Sequence, residues 1–137
     1  MSGYSQTPLW KKLGVRAGDQ LVLLDPPAGW RVPELPAPLS VRTETGARGR
    51  AHADVLLAFA TKRAQLKRLG ALSRRIHPDG AVWVAWPRRA GGHQSDIREQ
   101  DIRDAALPLG LVDVKVAALD EDWSGLRLVW RRERRGA

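Results

Sequence analysis

The turn after the first apolar run, in the stretch LVLLDPPAGW, contains residues that could hold a cofactor. Asp25 ends the run, and Gly29 follows shortly after it. Loops that cradle phosphate or carboxylate groups are rich in glycine, because main-chain N–H groups must approach the ligand closely. Pro26 and Pro27 occupy this turn instead, and a proline has no N–H and a fixed φ angle. The turn therefore predicts a rigid cap on a sheet rather than a cofactor cradle.

The loop PRRAGGHQSD supplies a second group of residues that could bind a ligand. Its arginines, its glycines and the free N–H groups of a following helix could hold a phosphate or a carboxylate. Ligands of open α/β sheets lie beyond the carboxyl ends of the strands, so this loop should lie near the turn at Asp25. The candidate residues for a ligand or anion site are Asp25, Trp30, Trp86, Arg88, Arg89, His93 and Ser95. The alternative is an exposed, flexible connection with solvated arginines.

The titratable residues lack the pattern of a metal site or of nucleophilic catalysis. Cysteine is absent, and His52, His77 and His93 have no histidine or acid at ligand spacing. The chain has no Gly-x-Ser-x-Gly motif. Three consecutive acids, at 120–122, directly precede a tryptophan. They could form a solvated hairpin turn or a loop that attracts cations, and both interpretations are open. We predict no catalytic residues and no metal, and we favour a non-enzymatic role.

The charge balance is strongly basic, with a net charge of +8 and a sequence pI of about 11.0. One interpretation is a nucleic-acid partner, and the other is a compositional bias, because the 18 arginines and 5 lysines are spread along the chain. The candidate contact surfaces are a basic tail at 131–137 and a helix face with Lys62, Arg63, Lys67, Arg68, Arg74 and Arg75.

The N-terminal stretch GYSQTPLWKK is a further candidate anion site. It places hydroxyls at Tyr4, Ser5 and Thr7 near a helix N-terminus, with Lys11 and Lys12 one turn on. A capped helix docked on the sheet explains the same residues with fewer assumptions, and we prefer that interpretation.

Length and composition predict one cytoplasmic domain. The 137 residues suit a single domain over 1–137, with a flexible lead at 1–6, and they are enough to bury a core without disulfides. No apolar run approaches the ~20 residues of a membrane helix, and the first residues lack the basic-then-apolar order of a signal peptide. The absence of cysteine fits a reducing cytoplasm.

The elements that position these residues alternate between strand and helix. We predict a helix near 7–14 with Thr7 as N-cap, strands at QLVLLD, SVRTET, ADVLLAFA and AVWVAW, helices over 61–76 and from Ser95 to Gly110, and a final hairpin of LVDVKVAAL and LRLVWRR. This order predicts a small Rossmann-like α/β domain of three layers, with a mostly parallel sheet that ends in an antiparallel hairpin.

The tryptophans are numerous, and their positions in the predicted strands separate them into two groups. Trp83 and Trp130 are expected in the core by strand alternation. Trp10, Trp30 and Trp86 are expected in a surface patch, which would be a ligand wall or a homodimer contact.

The segment ADVLLAF…LKRLGALSRRIHPDGAVWVAWP, together with the terminal hairpin, resembles the second half of class I S-adenosylmethionine-dependent methyltransferases. A closer resemblance is carried by GYSQTPLWKKLG, HPDGAVWVAWP, LPLGLVDVKV and DEDWSGLRLV. These stretches resemble a small bacterial family known only as a domain of unknown function, number three-zero-five-two. That resemblance implies no established activity. The methyltransferase resemblance implies a ribose-binding acid at the end of the second strand, where Glu44 is a weak match, and one strand of the usual fold is missing.

Three functional hypotheses follow. The leading one is a non-catalytic, methyltransferase-like binding or regulatory domain with no cofactor. The second is an enzyme, dependent on S-adenosylmethionine or acting on another small molecule, with a remodelled cofactor loop. The third is a basic protein associated with nucleic acid.

Overall fold

Six strands form one sheet in the computed structural model, which describes residues 7–46 and 49–135. The strands are Gln20–Leu24 (β1), Ser40–Glu44 (β2), Ala53–Phe59 (β3), Ile76–Pro87 (β4), Leu111–Ala118 (β5) and Trp123–Trp130 (β6). The α-helices are Leu9–Leu13 (α1), Leu69–Ser73 (α2), Glu99–Ala106 (α3) and Arg132–Arg135 (α4). Short 3-10 helices span Arg63–Arg68, Arg89–Gly91 and Leu107–Leu109. The predicted lead, with Tyr4 and Ser5, and residues 136–137 of the predicted tail lie outside the described residues.

The strand order across the sheet is β2-β1-β3-β4-β6-β5. The pairs among β2, β1, β3 and β4 are parallel, whereas β6 is antiparallel to both of its neighbours. Strand β6 therefore lies between β4 and β5, and the final hairpin folds back into the sheet. The predicted α/β architecture, mostly parallel with an antiparallel C-terminal hairpin, is confirmed.

The central strands are buried on both sides, as their continuous apolar runs predict. In β1, Val22 and Leu24 join the apolar cluster on one side of the sheet, and Leu21 and Leu23 join the cluster on the other. Trp83 in β4 is fully buried, and its indole N–H donates to the Leu13 carbonyl oxygen over 3.0 Å. This hydrogen bond ties the end of α1 to the centre of the sheet.

Different elements cover the two faces of the sheet. Helices α2 and α3 cover the face that we call the helical face, with Leu69, Leu72 and Ile102 buried against it. Helix α1 and the proline-rich segment 26–39 cover the other, which we call the opposite face. The segment holds five of the nine prolines and forms no helix. These are the three predicted layers, but one outer layer is mostly coil.

The helix predicted over 61–76 is shorter than expected. It consists of the 3-10 segment Arg63–Arg68 and the five-residue helix α2. Neither segment has an acid in its first turn that could interact favourably with the helix dipole. Gly70 also lowers the helix propensity inside α2. The predicted apolar positions still face the sheet, because Leu66, Leu69 and Leu72 are buried.

The predicted N-caps at Thr7 and Ser95 are wrong. Helix α1 begins at Leu9, with Pro8 at its N-cap position. Helix α3 begins at Glu99, where an Asp101 carboxylate oxygen accepts from the Arg98 N–H over 2.9 Å. The Ser95 hydroxyl instead accepts from the Ile97 N–H in the preceding turn.

The simple alternation predicted for β5 is also wrong. The pairing shifts from Asp113 opposite Leu128 to Lys115 opposite Arg127, so Val114 is an extra residue in a bulge. Asp113 consequently contacts α3 on the helical face, and Lys115 contacts α1 on the opposite face.

None of the helices within the described ranges has the length and apolarity needed to cross a lipid bilayer.

Candidate functional site

The crevice at the carboxyl ends of β1 and β3 is the first place to expect a ligand. These strands are neighbours, with Leu24 paired to Ala58, although the chain passes through β2 between them. The connections from β1 and β3 thus leave toward opposite edges of the sheet. Such a switch in strand order is where open α/β sheets bind ligands.

The guanidinium of Arg68 lies across this crevice. Its Nη1 donates to Asp25 Oδ2 over 2.6 Å, and its Nη2 donates to the carbonyl oxygen of Phe59 at the end of β3. The side chains of Arg68 and Asp25 are 14% and 27% exposed. A cation from the chain itself therefore neutralises the acid at the end of β1 and spans the two strand ends.

Asp25 is held in place by several further contacts. Its φ is 53°, in the left-handed region that aspartate tolerates better than most residues. Its Oδ1 accepts from the Gly46 N–H over 2.9 Å, and its own N–H donates to the Glu44 carbonyl oxygen. Burial raises the pKa of Asp25, but the hydrogen bonds from Gly46 and Arg68 outweigh it and leave that pKa below its usual value. Asp25 is thus an ionised carboxylate with its two oxygens already bound.

The segment after Asp25 turns away from the crevice onto the opposite face. Trp30 packs edge-on against Phe59, with ring centroids 4.8 Å apart, and its indole N–H donates to Asp120 Oδ2 over 2.9 Å. Trp123 also packs edge-on against Phe59, with ring centroids 4.9 Å apart. Trp30 therefore anchors the segment to the hairpin turn between β5 and β6.

Four of the seven predicted site residues meet elsewhere, in a groove on the helical face between the end of β4 and the start of α3. The groove has a volume of about 510 Å³. We call it the β4–α3 groove, and its main lining residues are Trp86, Arg88, Arg89, Ser95, Arg98 and Arg103.

The four arginines of the β4–α3 groove differ in how they are paired. Arg89 and Arg98 are exposed and form no ion pair with any described residue. Arg88 donates to the carbonyl oxygens of Asp120 and Glu121 in the hairpin turn. Arg103 donates to Glu99 within α3 and to Asp113 in β5. Two guanidinium groups therefore keep their donors available for a ligand.

The paired arginine fixes the wall of the β4–α3 groove. The hydrogen bond from Arg103 holds the pKa of Asp113 below its usual value although burial raises it. The hydrogen bonds to Asp113 and Glu99 raise the pKa of Arg103.

The floor of the β4–α3 groove is apolar, because Trp86 is 8% exposed and Ile97 is buried. An apolar floor with unpaired guanidinium groups at the rim suits an anion that carries an apolar part.

The remaining predicted residues lie apart from this groove. Asp25 is in the crevice with Arg68, Trp30 is on the opposite face, and His93 Nε2 lies 2.8 Å from Asp122 Oδ1. The predicted surface patch of Trp10, Trp30 and Trp86 is wrong, because Trp86 is buried on the helical face and the other two lie on the opposite face. The prediction that these seven residues bind an anion stays a prediction.

Sequence reasoning did not place Arg68, Arg98 or Arg103 at a ligand site, and it named Arg68 only as part of a basic helix face. One feature of the sequence indicates that Arg68 lies near the sheet. It stands between Leu66 and Leu69, and the helical spacing places both of these leucines inward. Arg98 and Arg103 had no such feature beyond their place in a predicted helix. Among the described residues, no group of three or more His, Cys, Asp or Glu side chains could hold a metal ion.

The family comparison matches more than half of the chain. The sequence profile of DUF3052, described as a protein of unknown function, matches residues 56–132. These residues include β4, α3 and the final hairpin, and so the whole β4–α3 groove. No protein of curated function matches the chain in sequence.

Solved structures of methyltransferases share the fold. The glycopeptide N-methyltransferase MtfA aligns with a TM-score of 0.57 at 9% identity, over 89% of this chain and 88% of that one. Magnesium protoporphyrin IX methyltransferase from Synechocystis PCC 6803 with bound SAH aligns with a TM-score of 0.50 at 13% identity, over 67% of this chain. The chain spans about half of that enzyme, with 52% covered. An O-methyltransferase from neocarzinostatin biosynthesis, in complex with S-adenosylmethionine, aligns at 0.51 and 13% identity, over 68% of this chain and 34% of that one.

The crevice residues do not fit the S-adenosylmethionine of such proteins. The turn at 25–29 has two prolines where main-chain donors would be needed, and the acid at its start is paired with Arg68. Glu44, the candidate ribose ligand, is bound to Arg75 over 2.7 Å, with side chains only 10% and 7% exposed. The chain therefore shares the methyltransferase fold, while Asp25 and Glu44, at the ends of β1 and β2, are each ion-paired with an arginine of the chain itself.

Proposed function

We propose that this chain, which belongs to the DUF3052 family of proteins of unknown function, is a non-catalytic methyltransferase-like domain that acts by binding a small anion. We place the ligand in the β4–α3 groove, and we propose that the protein works in the cytoplasm, in keeping with its lack of cysteine.

The observation that carries this proposal is the ion pair between Arg68 and Asp25. It spans the carboxyl ends of β1 and β3, the place where the fold would otherwise receive a cofactor. Expelling Arg68 would leave a carboxylate without its counterion, so a ligand at this place must compensate for a broken ion pair. The carboxylate of a methionine part could not do so for Asp25, because the two groups carry the same charge, and its ammonium group could do so only by displacing Arg68.

The lining of the β4–α3 groove supports binding rather than catalysis. Its acid, Glu99, is paired with Arg103, and none of the described residues that line it is a histidine, lysine or cysteine. The groove therefore lacks a poised general base or nucleophile. Its Arg89 and Arg98 guanidinium groups can instead form bidentate hydrogen bonds to a carboxylate or phosphate.

The cofactor part of the proposal is tested by isothermal titration of the purified chain with S-adenosylmethionine and S-adenosylhomocysteine. A methyltransferase that binds both ligands serves as the control for ligand quality. We expect no saturable heat from this chain. A micromolar dissociation constant for either compound would refute the absence of a cofactor.

The ligand part is tested with phenyl phosphate, an anion with an apolar ring, against inorganic phosphate. We expect phenyl phosphate to bind more tightly, and the double variant Arg89→Ala/Arg98→Ala to weaken its binding at least tenfold. The matched control is Arg31→Ala/Arg132→Ala, which removes two exposed arginines outside the groove. Equal losses in both double variants, or no preference for the ring, would contradict a specific groove.

The alternative of an enzyme with a remodelled cofactor loop has less support. It predicts that Asp25, Trp30 and Trp86 line one deep pocket. The two tryptophans pack against opposite faces of the sheet, so they do not share a pocket.

A further inference from the structure

A second groove lies on the opposite face, between α1 and the strands β5 and β6. Its volume is about 450 Å³. We call it the α1 groove, and the residues used below are Trp10, Lys11, Lys12, Arg16 and Lys115. None of the described residues that line it is an aspartate or a glutamate. The groove therefore concentrates positive charge without an acid in its wall.

Main-chain oxygens orient two of these cations without neutralising them. Lys12 Nζ donates to the Ala118 carbonyl oxygen over 3.3 Å, and Lys115 Nζ donates to the Lys12 carbonyl oxygen over 3.4 Å. Because a carbonyl group has no net charge, both ammonium groups keep their charge. Lys11 and Arg16 are exposed and have no ion-pair partner among the described residues. The nearby Asp19 carboxylate accepts from the Arg16 main-chain N–H over 2.8 Å.

The helical face, where the sequence first suggested a polyanion surface, is different. Arg68 and Arg75 are bound to Asp25 and Glu44, and Arg63 Nη1 lies 3.9 Å from an Asp101 oxygen. Acids therefore compensate three of the six basic residues predicted on that face. The α1 groove is the stronger candidate for a polyanion, because the three lysines and Arg16 named above form no ion pair with an acid among the described residues.

Trp10 adds an aromatic surface to the α1 groove. Its indole packs against the apolar cluster of the opposite face, is only partly buried, and forms part of the groove wall. An aromatic ring beside lysine and arginine is the combination that binds nucleotides, since the base stacks on the ring and the cations hold the phosphate.

We propose that the α1 groove binds a nucleotide unit, with its base against Trp10 and its phosphate held by Lys11, Lys12, Arg16 and Lys115. The unit comes either from a free nucleotide or from a single-stranded nucleic acid. This site shares no residue with the β4–α3 groove, so the two proposals fail independently.

The test uses fluorescence anisotropy of a labelled oligothymidylate of about ten nucleotides, a length that spans one such site, with AMP and pyrophosphate as competitors. We expect the double variant Lys11→Gln/Arg16→Gln to lose at least tenfold in affinity at low salt. The slope of log K against log salt concentration should become shallower, by at most about 0.7 for the one phosphate that these cations contact. The matched control, Lys67→Gln/Arg74→Gln, removes the same charge from the helical face. Because these residues lie outside the α1 groove, the affinity of this variant should stay within about twofold of wild type.

The role of the ring is tested with two variants of Trp10. Trp10→Leu should lose about tenfold in affinity, and Trp10→Phe should retain most of it, because stacking needs an aromatic ring. The thermal unfolding midpoint of each variant checks that the fold is intact. If Trp10→Leu does not fold, Lys11→Gln/Arg16→Gln still tests the site, because both residues that it replaces are exposed. AMP should compete in either case, because both ligands place a nucleotide unit in the groove. An affinity for AMP that equals that for the oligonucleotide identifies a free nucleotide as the ligand, and an oligonucleotide that binds at least tenfold more tightly than AMP identifies a single strand.

Three outcomes would overturn the proposal. One is that neither the oligonucleotide nor AMP binds at low salt. The second is that the control pair on the helical face loses as much affinity as the groove pair. The third is that pyrophosphate competes as well as AMP while Trp10→Leu binds like wild type, which would indicate phosphate binding without a base.

Discussion

Replacing Asp25 by asparagine tests the ion pair that closes the crevice, and it should destabilise the protein by about 2 kcal/mol. A hydrogen bond between charged groups contributes roughly 1.5–3 kcal/mol. Exposed ion pairs contribute about 0.2–1 kcal/mol, and loss of one partner of a buried pair costs about 3–5 kcal/mol. With 14% and 27% exposure, Arg68 and Asp25 lie between these limits. The asparagine oxygen can still accept from the Gly46 N–H, so mainly the bond to Arg68 is lost.

The destabilisation should depend on pH in a defined direction. The folded protein lowers the pKa of Asp25 below its ordinary value of 3.8, because the bonds from Gly46 and Arg68 outweigh the burial that raises it. A lowered folded pKa contributes stability above the unfolded pKa, and this contribution is lost as the pH falls through the folded value. The difference between wild type and Asp25→Asn should therefore be constant near neutral pH and shrink in acid.

Urea unfolding followed by far-UV circular dichroism measures both effects, with the slope of free energy against urea expected to stay unchanged. Asp79→Asn is the matched control, because Asp79 is exposed and forms no ion pair with the described residues. A loss below about 0.5 kcal/mol at neutral pH would mean that the pair behaves like an exposed one. A difference that stays constant down to strong acid would show that the charge of Asp25 plays no part.

Three further substitutions test the packing around the sites by the same unfolding assay. Glu44→Gln should cost about 3 kcal/mol, because the buried Arg75 would lose its counterion, and a near-neutral result would contradict a buried pair. Trp83→Phe should cost about 2–3 kcal/mol, since it leaves a cavity and an unpaired Leu13 carbonyl oxygen, and a smaller loss than that of Trp10→Phe, at a tryptophan that is only partly buried, would argue against this anchor. Gly125→Ala should cost about 1–3 kcal/mol, because a Cβ would lie 2.9 Å from Trp83 Cε3, whereas an unchanged midpoint would mean that the two strands can separate there.

The strands of this protein could be predicted from sequence because their signal is local. Runs such as QLVLLD and ADVLLAFA are too apolar for a half-exposed strand, and they are buried on both faces as expected. The final hairpin was predicted from alternation, and Leu126 and Leu128 do point into the core. The order of strand and helix then restricted the topology to a mostly parallel sheet, because parallel crossovers have one hand.

The candidate site could not be predicted to the same extent, because its contacts join distant parts of the chain. Trp30 and Asp120 are 90 residues apart and meet only once the hairpin turn has folded against the proline-rich segment. The sequence also does not indicate which face of the sheet a loop will cover, and Trp30 and Trp86 were therefore grouped wrongly. Arg68 looks like an outward basic residue in a helical pattern, but its long side chain reaches back over the strand ends.

The two prolines and Arg68 together explain why the crevice differs from a cofactor site. Residues 25–39 form no helix, so no helix N-terminus with free N–H groups points at the end of β1. Pro26 and Pro27 remove two more donors, and Arg68 supplies the positive charge that Asp25 would otherwise lack. Removing Arg68 alone would therefore leave an acidic crevice without anion donors, which attracts a methionine carboxylate no better than before. The guanidinium groups of Arg89 and Arg98, which form no ion pair with the described residues, lie one strand further along the same edge of the sheet, and a search for the ligand should begin there.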